Sequence, residues 1–203
     1  MSTDNEGKKM KIFGFVGSPR KEGNTAWTVN EILEGAKAQG AETQVLYSGD
    51  LDIKPCKGCL GCTKSGVCVI NDDMQKIYSA LEQADAIVFG SPIYMGQMSG
   101  QAKMFADRLF AWITPRFSPR FKEEHAGKKL VLVFTQGNPD PEMFRAYYDY
   151  TKKMFQLLEF DVQKVQIVSG TRSGLACEIK GLRDDLRAIG SSLASAYFSG
   201  AER

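Results

Sequence analysis

The chain has 203 residues, of which 43% are hydrophobic and 25% are charged, and its formal net charge is +2. The length suits one domain with a full core, and the balanced charge argues against a nucleic-acid partner. The polar first ten residues lack the apolar stretch of a signal peptide, and no apolar run reaches the roughly 18 residues of a membrane span. We therefore expect a cytoplasmic protein with a disordered tail over residues 1–9 and a single domain over residues 10–203.

Short apolar runs alternate with helical patterns along the chain. The predicted strands lie in the segments KIFGFVGSPR, ETQVLYSG, ADAIVFGSPIY, KKLVLVFTQGNP and DVQKVQIVSG. The first predicted helix begins near Asn24, because Val29, Ile32, Leu33 and Ala36 share one helical face. Further helices are predicted over residues 72–83, from about Ser99, and over residues 141–159 and 179–198.

This alternation predicts an α/β fold of the doubly wound class, in which helices cover both faces of a parallel sheet. Ligands of such sheets bind beyond the carboxyl ends of the strands, near the point where the strand order reverses. The loops after the first, third and fourth strands are therefore the candidate binding loops.

The loop after the first strand, GSPRKEGNTAW, matches neither GxGxxG nor the Walker pattern GxxxxGK[ST]. It offers side-chain donors from Ser18, Asn24 and Thr25, a charged clamp in Arg20, and backbone amides at a helix N-terminus. These groups suit one terminal phosphate. The alternative is a plain turn in which Asn24 or Thr25 only caps the helix.

The loop after the third strand, GSPIYMGQMSG, carries Ile93, Tyr94 and Met95, which would present flat and polarizable groups to a planar ring. The alternative is that Tyr94 and Met95 only pack on a neighbouring helix. After the fourth strand, Thr135, Gln136 and Gly137 could reach the edge of the same ring. A phosphate loop beside an aromatic loop and a polar loop favours a phosphorylated planar cofactor, and FMN fits best.

Four of the five cysteines lie in one segment, CKGCLGCTKSGVC, as Cys56, Cys59, Cys62 and Cys68. Such clusters in cytosolic proteins are more often metal-binding or redox-active than disulfide-bonded. The spacing resembles the bacterial ferredoxin run, and a 4Fe-4S cluster held by these thiolates is the favoured reading of a cysteine loop over residues 53–70. Zinc, which usually takes two separated pairs of ligands, and an empty thiol loop stay as alternatives.

The chain resembles the iron-sulfur flavoproteins, within the flavodoxin-like NADPH-dependent FMN reductases, in the segments GSPRKEGNTA, CKGCLGC, GVCVINDDM and GSPIYMGQMSGQAKMFADR. The resemblance implies a five-stranded parallel sheet in the order 2-1-3-4-5 and a homodimer or homotetramer. It also implies an anaerobic setting. The residues it assigns to FMN, together with the polar loop, are Ser18, Arg20, Asn24, Thr25, Ala26, Pro92, Ile93, Tyr94, Met95, Gly96, Thr135, Gln136 and Gly137.

Three hypotheses about function follow. The first is an electron-transfer flavoprotein that takes electrons from a ferredoxin-like donor through the cluster to FMN and passes them to oxygen, peroxide or a quinone-like compound. No side chain is then needed as a nucleophile or general base. The second is a cluster-free reductase in which NAD(P)H reduces FMN directly. The third is a non-catalytic redox sensor.

The predictions for the remaining residues of interest are mainly structural. Cys177 is expected to be a small buried residue, and His125 receives no role. Asp107 and Arg108 are read either as a structural ion pair or as cofactor contacts. The aromatic and arginine-rich segment over residues 109–127 is expected to form a subunit contact or an active-site cover.

Overall fold

A computed structural model of the protein describes residues 9–112, 127–172 and 174–198. The strands are β1 (Lys11–Val16), β2 (Glu42–Tyr47), β3 (Ala86–Tyr94), β4 (Gln97–Met98), β5 (Lys129–Thr135) and β6 (Asp161–Val168). The helices are α1 (Asn24–Lys37), α2 (Gly61–Ser65), α3 (Met74–Gln83), α4 (Gly100–Arg108), α5 (Arg145–Leu157) and α6 (Leu182–Phe198). None of the helices within these described ranges is long and apolar enough to cross a membrane.

The sheet confirms the predicted class and order. Its parallel strands run β2-β1-β3-β5-β6, which is the predicted 2-1-3-4-5 once the short strand β4 is set aside. Strand β4 was not predicted; it pairs antiparallel with the end of β3 through Ile93–Met98 and Tyr94–Gln97. Two residues are too few to produce a recognisable alternation of polar and apolar side chains.

The two faces of the sheet bury different side chains. One face is rich in phenylalanine, and Phe15, Phe89 and Phe105 stack on one another with ring centroids 4.4 to 5.9 Å apart. This face is covered by α3, α4 and α5. The other face is aliphatic, and α1 and α6 cover it. Because successive residues of a strand point to opposite faces, strands buried on both sides read as continuous apolar runs.

Two helix starts differ from the prediction by three or more residues, and local backbone geometry explains both. Residues 141–144 form turns, so α5 begins at Arg145 instead of Pro141. The last predicted helix begins at Leu182, because Gly181 has a φ of +79°, which a right-handed helix does not contain. By contrast, Val29, Ile32, Leu33 and Ala36 are all buried on α1, as their spacing predicts.

Candidate functional site

The predicted binding loops meet at the carboxyl edge of the sheet, because β3 lies between β1 and β5. The amide of Gly17, just after β1, donates to the carbonyl of Gly90 in β3 at 2.8 Å. The hydroxyls of Thr25 and Thr135, both buried, form a hydrogen bond of 2.6 Å that joins the start of α1 to the end of β5. These hydrogen bonds join the loop after β1 and the start of α1 to β3 and β5.

The loop after β1 presents backbone amides at the start of α1. Gly23 occupies the N-cap position and no side chain caps the helix, so the reading of Asn24 or Thr25 as a simple cap is wrong. The first helical hydrogen bond runs from the amide of Trp27 to the carbonyl of Gly23 at 3.0 Å. The amides of residues 24–26 precede that bond and point out of the helix end, which is the arrangement that binds phosphate in other proteins.

Besides Thr25, two of the predicted phosphate contacts have internal hydrogen bonds. The Ser18 hydroxyl is buried and accepts from the amide of Arg20 at 3.2 Å. The carboxamide of Asn24 donates to the carbonyl of Thr171 at 3.4 Å and accepts from the amide of Ala176 at 2.8 Å. Asn24 therefore also holds the loop that follows β6. Ala26 is buried and Arg20 is exposed, and the cofactor contacts of all these residues stay predictions.

The loop after β3 is a tight hairpin and not an irregular loop. Met95 and Gly96 have φ values of +49° and +81°, and positive values at both central residues are typical of a type I′ turn. Gly96 lies 3.6 Å, measured from an ideal Cβ, from the ring of Phe144. The amide of Met98 donates to the hydroxyl of Tyr147 at 3.0 Å. The hairpin is therefore anchored on the start of α5, while Met95 at its tip is fully exposed.

A cleft of about 590 Å³ opens between this hairpin and the loop after β5. It is lined by Ile93, Tyr94, Met95, Gly137, Asn138, Pro139 and Arg172. The structure thus brings together four of the residues predicted for the planar ring, namely Ile93, Tyr94 and Met95 of the hairpin and Gly137 of the loop after β5. Thr135 and Gln136 are buried and do not line the cleft. The volume of the cleft lies in the range of cofactor pockets, about 300–1,000 Å³. Arg172 was missed because a single arginine after the last strand carries no motif.

Gln136 holds the loop that forms one wall of the cleft. Its side chain is buried and donates to the carbonyls of Asn138 and Asp140 at 3.0 and 2.6 Å. The hydroxyl of Tyr148 donates to its carbonyl oxygen, and burial raises the pKa of Tyr148 to about 12. The side chain of Gln136 thus fixes the 138–140 loop, and its contact with a ring stays a prediction.

Ser91 and Ser99, neither of which was predicted as a site residue, connect the hairpin to the phosphate loop. Ser99 caps α4 by accepting from the amide of Ala102 at 3.1 Å, and its hydroxyl donates to the carbonyl of Gly17. Its amide donates to the hydroxyl of Ser91 at 3.0 Å. Ser99 stands one position before α4, so its capping role was readable from the sequence, but its bond to Gly17 depends on the folded sheet.

The cysteine segment lies on the phenylalanine side of the sheet. Cys56 and Cys59 are exposed, whereas Cys62 on α2 and Cys68 are partly buried against the core. The backbone of the segment turns sharply, with positive φ at Gly58, Leu60 and Gly66. Such turns bring residues close in sequence into a compact loop.

The thiols of the segment influence one another. Burial raises the pKa of the Cys62 thiol, the neighbouring Cys68 raises it further, and Cys56 and Cys59 add smaller effects. Four soft sulfur donors in one short segment suit iron. Among the described residues, however, no three Cys, His, Asp or Glu side chains converge to hold a metal ion.

The base of the segment is fixed by a buried ion pair. Arg108, at the end of α4, bonds both carboxylate oxygens of Asp72 at 2.7 and 3.1 Å, and both side chains are inaccessible to solvent. Burial alone would raise the pKa of Asp72, but hydrogen bonds from Arg108 and from the amides of Lys54 and Met74 lower it. Of the two sequence readings, the structural ion pair is the one observed, although Asp107 pairs with Lys103 instead.

One prediction about the remaining residues is wrong. Cys177 is exposed, because it lies in a short 3-10 helix in which its neighbour Ala176 is the buried residue. Neighbouring positions of such a turn point in different directions. His125 and most of the 109–127 segment lie outside the described residues, as do residues 1–8 of the predicted tail.

Comparisons with known proteins agree with this geometry. Residues 10–163 match the model of the NADPH-dependent FMN reductase family. The chain belongs to that family. It is 43% identical over 99 residues to an iron-sulfur flavoprotein of Methanocaldococcus jannaschii, covering 49% of this chain and 51% of that protein. A second iron-sulfur flavoprotein of the same organism is 39% identical over 142 residues, 70% of each chain.

A solved structure supports the fold. The NAD(P)H:quinone oxidoreductase from Methanothermobacter marburgensis superposes with a TM-score of 0.71 at 14% identity, covering 92% of this chain and 98% of that one. The chain spans about half the length of the first of the curated relatives. The family model and the relatives named iron-sulfur flavoproteins are what this chain is similar to, and the family membership rests on the match over residues 10–163.

Proposed function

We propose that the protein transfers electrons from a ferredoxin-like donor to a small acceptor such as oxygen, peroxide or a quinone-like compound, in the cytoplasm of an anaerobic cell. FMN would supply two-electron storage and a 4Fe-4S cluster would supply one-electron transfer. The observation that carries the proposal is the link between the two candidate sites. Helix α4 is capped by Ser99, which is bonded to Gly17 in the loop after β1, and it ends at Arg108, which is bonded to Lys54 beside the cysteine segment.

The residues of the cleft would perform distinct tasks toward FMN. The open amides of residues 24–26 would hold its phosphate, together with Ser18 and Arg20. The hairpin tip, Ile93 to Gly96 after the buried Pro92, would cover one side of the ring. The hydroxyl pair of Thr25 and Thr135 shares one hydrogen in its mutual bond, so the other hydrogen is available to a cofactor oxygen.

Cys56, Cys59, Cys62 and Cys68 would be the ligands of the cluster. Two of these cysteines are partly buried and two are exposed, so the group would sit at the edge of the protein where a protein donor can approach. Closure of the four thiols around the metal would require movement only within residues 55–69, since both ends of the segment are hydrogen-bonded to the body of the protein.

The test is the iron, acid-labile sulfide and FMN content of protein purified without oxygen. We expect about four irons and four sulfides per FMN. Cys56→Ser should lose the iron and keep the FMN. Cys177→Ser is the matched control, because Cys177 is also an exposed free cysteine but lies outside the segment. Full FMN without iron in the wild-type protein would contradict the cluster.

The cluster-free NAD(P)H reductase is the second candidate. It is favoured by the lack of a converged metal-binding group among the described side chains. In that case NADPH should bleach the bound flavin within the time of one turnover, and Cys56→Ser should be fully active. Family membership as an FMN reductase argues against the non-catalytic sensor.

We also propose that two copies of the chain associate through α5. Met143, Tyr150, Met154 and Leu157 are 57%, 61%, 40% and 68% exposed. With Tyr147 they recur every third or fourth residue, which is the spacing of a seam between two helices. An antiparallel second copy crossing near Tyr150 would place Asp149 beside the exposed Lys153 of the other chain, twice, so the charges that flank the seam are complementary.

Light scattering of the purified protein tests this surface. We expect a dimer, or a tetramer built from it, and a monomer for Met154→Glu with an unchanged circular dichroism spectrum. Gln156→Glu adds the same charge to an exposed position of α5 outside the seam and should stay associated. A monomeric wild-type protein, or an associated Met154→Glu variant, would overturn the assignment of the surface.

A further inference from the structure

We propose that Arg108 is a positioning residue for the metal group of the cysteine segment. By joining Lys54 and Ile70, it keeps the two ends of the thiol-bearing loop together before a metal arrives. This inference rests on the proposed function, because it assigns a residue to the cluster that the function includes.

The contacts of Arg108 reach both ends of the segment. Its guanidinium donates to the carbonyl of Lys54 at 2.8 Å and to the carbonyl of Ile70 at 3.4 Å. Lys54 stands two residues before Cys56, and Ile70 stands two residues after Cys68. One side chain therefore joins Lys54 to Ile70, the two residues that form the neck of the loop.

Asp72 completes the arrangement. While it pairs with Arg108, its carboxylate also accepts from the amide of Lys54 at 2.9 Å. Both backbone groups of Lys54 are thus bound by the same ion pair. A planar guanidinium can bond a carboxylate through two nitrogens and still reach two carbonyls, which the point charge of a lysine cannot do.

Stability alone does not account for this pair. A buried ion pair is costly to desolvate, and apolar residues of similar volume are often as stabilising or more so. Such pairs are best attested where they fix a register. The register fixed here is that of the two chain segments that enter and leave the cysteine loop, beside the buried Ile53 and Ile70.

The pair also relates the segment to the flavin cleft. Arg108 is the last residue of α4, and Ser99 at the other end of α4 donates to Gly17 in the phosphate loop. A shift of the segment relative to Arg108 would therefore also be a shift relative to the cleft. The exposed Lys103–Asp107 pair on the same helix is bonded within α4 and offers a matched control.

The experiment compares wild type, Arg108→Lys, the neutral double variant Arg108→Gln with Asp72→Asn, and Asp107→Asn. Hydrogen exchange is measured on FMN-loaded, metal-free protein. Iron release to a chelator is then measured after reconstitution with ferrous iron and sulfide without oxygen. The double variant avoids leaving one buried charge alone, so it keeps the test valid if Arg108→Lys does not fold.

We expect faster exchange of the Lys54 amide in both Arg108 variants, with unchanged exchange in β1 and β3 and unchanged FMN content. Iron should be released about 10- to 100-fold faster, the usual effect of removing a residue that supports metal ligands. Asp107→Asn should match wild type. Wild-type exchange at Lys54 and wild-type iron release in the double variant would overturn the inference.

A failure of the proposed function would look different. A wild-type protein that takes up no iron would remove the cluster, and with it the metal role of Arg108. The exchange of the Lys54 amide in the metal-free protein would still decide whether Arg108 holds the neck of the segment.

Discussion

The flavin cleft and the cysteine segment are built in opposite ways. The cleft stands on the ends of β1, β3 and β5, and its loops are joined to one another by hydrogen bonds such as those of Ser99 and Gln136. The cysteine segment has one short helix of its own and partly exposed thiols, and the hydrogen bonds of Arg108 and Asp72 fix its two ends. The loops of the cleft are thus held by the sheet, whereas the ends of the segment are held by an ion pair.

This difference indicates how each group would be bound. A planar cofactor gains affinity when its pocket is already formed, because little ordering is required on binding. Metal–thiolate bonds are strong enough to order a loop themselves, so the protein needs only to keep the ligands near one another. Changes in the cleft should therefore affect flavin and stability together, while changes of the four thiols themselves should affect metal alone.

The largest expected effect on stability is at the neck of the segment, where the buried ion pair joins the segment to the body of the protein. Arg108→Met leaves the Asp72 carboxylate buried without its partner, and we expect unfolding to become easier by about 3–5 kcal/mol. Urea denaturation followed by circular dichroism measures this loss. Asp107→Asn, in an exposed pair on the same helix, should change stability by less than about 0.5 kcal/mol. Equal losses in the two variants would show that the buried pair contributes no more to stability than the exposed pair.

The next largest effect is expected in the cleft. Ser99→Ala removes the cap of α4 and the bond to Gly17, and we expect a loss of about 1–2 kcal/mol. FMN should also dissociate more readily, which quenching of flavin fluorescence would report. Ser79→Ala, on the exposed side of α3, is the control for the loss of a hydroxyl. Normal FMN affinity in Ser99→Ala would break the link between flavin binding and the shape of the cleft.

A smaller effect on stability is expected at Gly96 in the hairpin. It tests whether the cost of a side chain there comes from the backbone conformation or from contacts of the side chain. Gly96→Ala must adopt the left-handed conformation at φ +81° and should cost about 1 kcal/mol. Its new methyl group meets only the Phe144 ring, at an ordinary 3.6 Å. Gly100→Ala has open space and a helical backbone, so it should be neutral or stabilising by at most about 1 kcal/mol. Thermal melting curves of both variants measure these changes in stability. A destabilised Gly100→Ala would contradict the expectation that only the backbone conformation of Gly96 is costly.

The smallest effect is expected from pH near neutrality. The folded-state pKa of Asp72 lies below the ordinary value of 3.8, so its contribution to stability is fully present above that value. The contribution is lost as the pH falls through the lowered pKa. Exchange of the Lys54 amide, corrected for its intrinsic pH dependence, should therefore be constant from pH 5 to 8 and rise only under acid. A rise between pH 5 and 6 would contradict the assignment.

Much of the fold was predictable because its signals are local. Buried strands produce apolar runs, and the face of α1 that packs on the sheet repeats at helical spacing. The three binding loops followed from the rule for parallel sheets, and residues of the loops after β3 and β5 line one cleft. The cysteines could be grouped because they are neighbours in sequence.

What the sequence did not reveal depends on contacts between distant residues. Nothing near Arg108 indicates that its partner is Asp72, thirty-six positions earlier, or that it reaches both sides of the cysteines. Asn24 and Gln136 were read as ligand contacts because their amides suit that role, yet the folded chain also uses both to hold loops. The direction of Cys177 was set by a single turn that has no periodic pattern.

The length of α4 has a consequence for how this protein can vary. The helix has nine residues, and at 1.5 Å per residue it is about 14 Å long. One inserted residue would rotate Arg108 by about 100° around the helix axis and direct it away from Asp72. Insertions are therefore tolerated far better in the cysteine loop than in α4, where register and distance are set together.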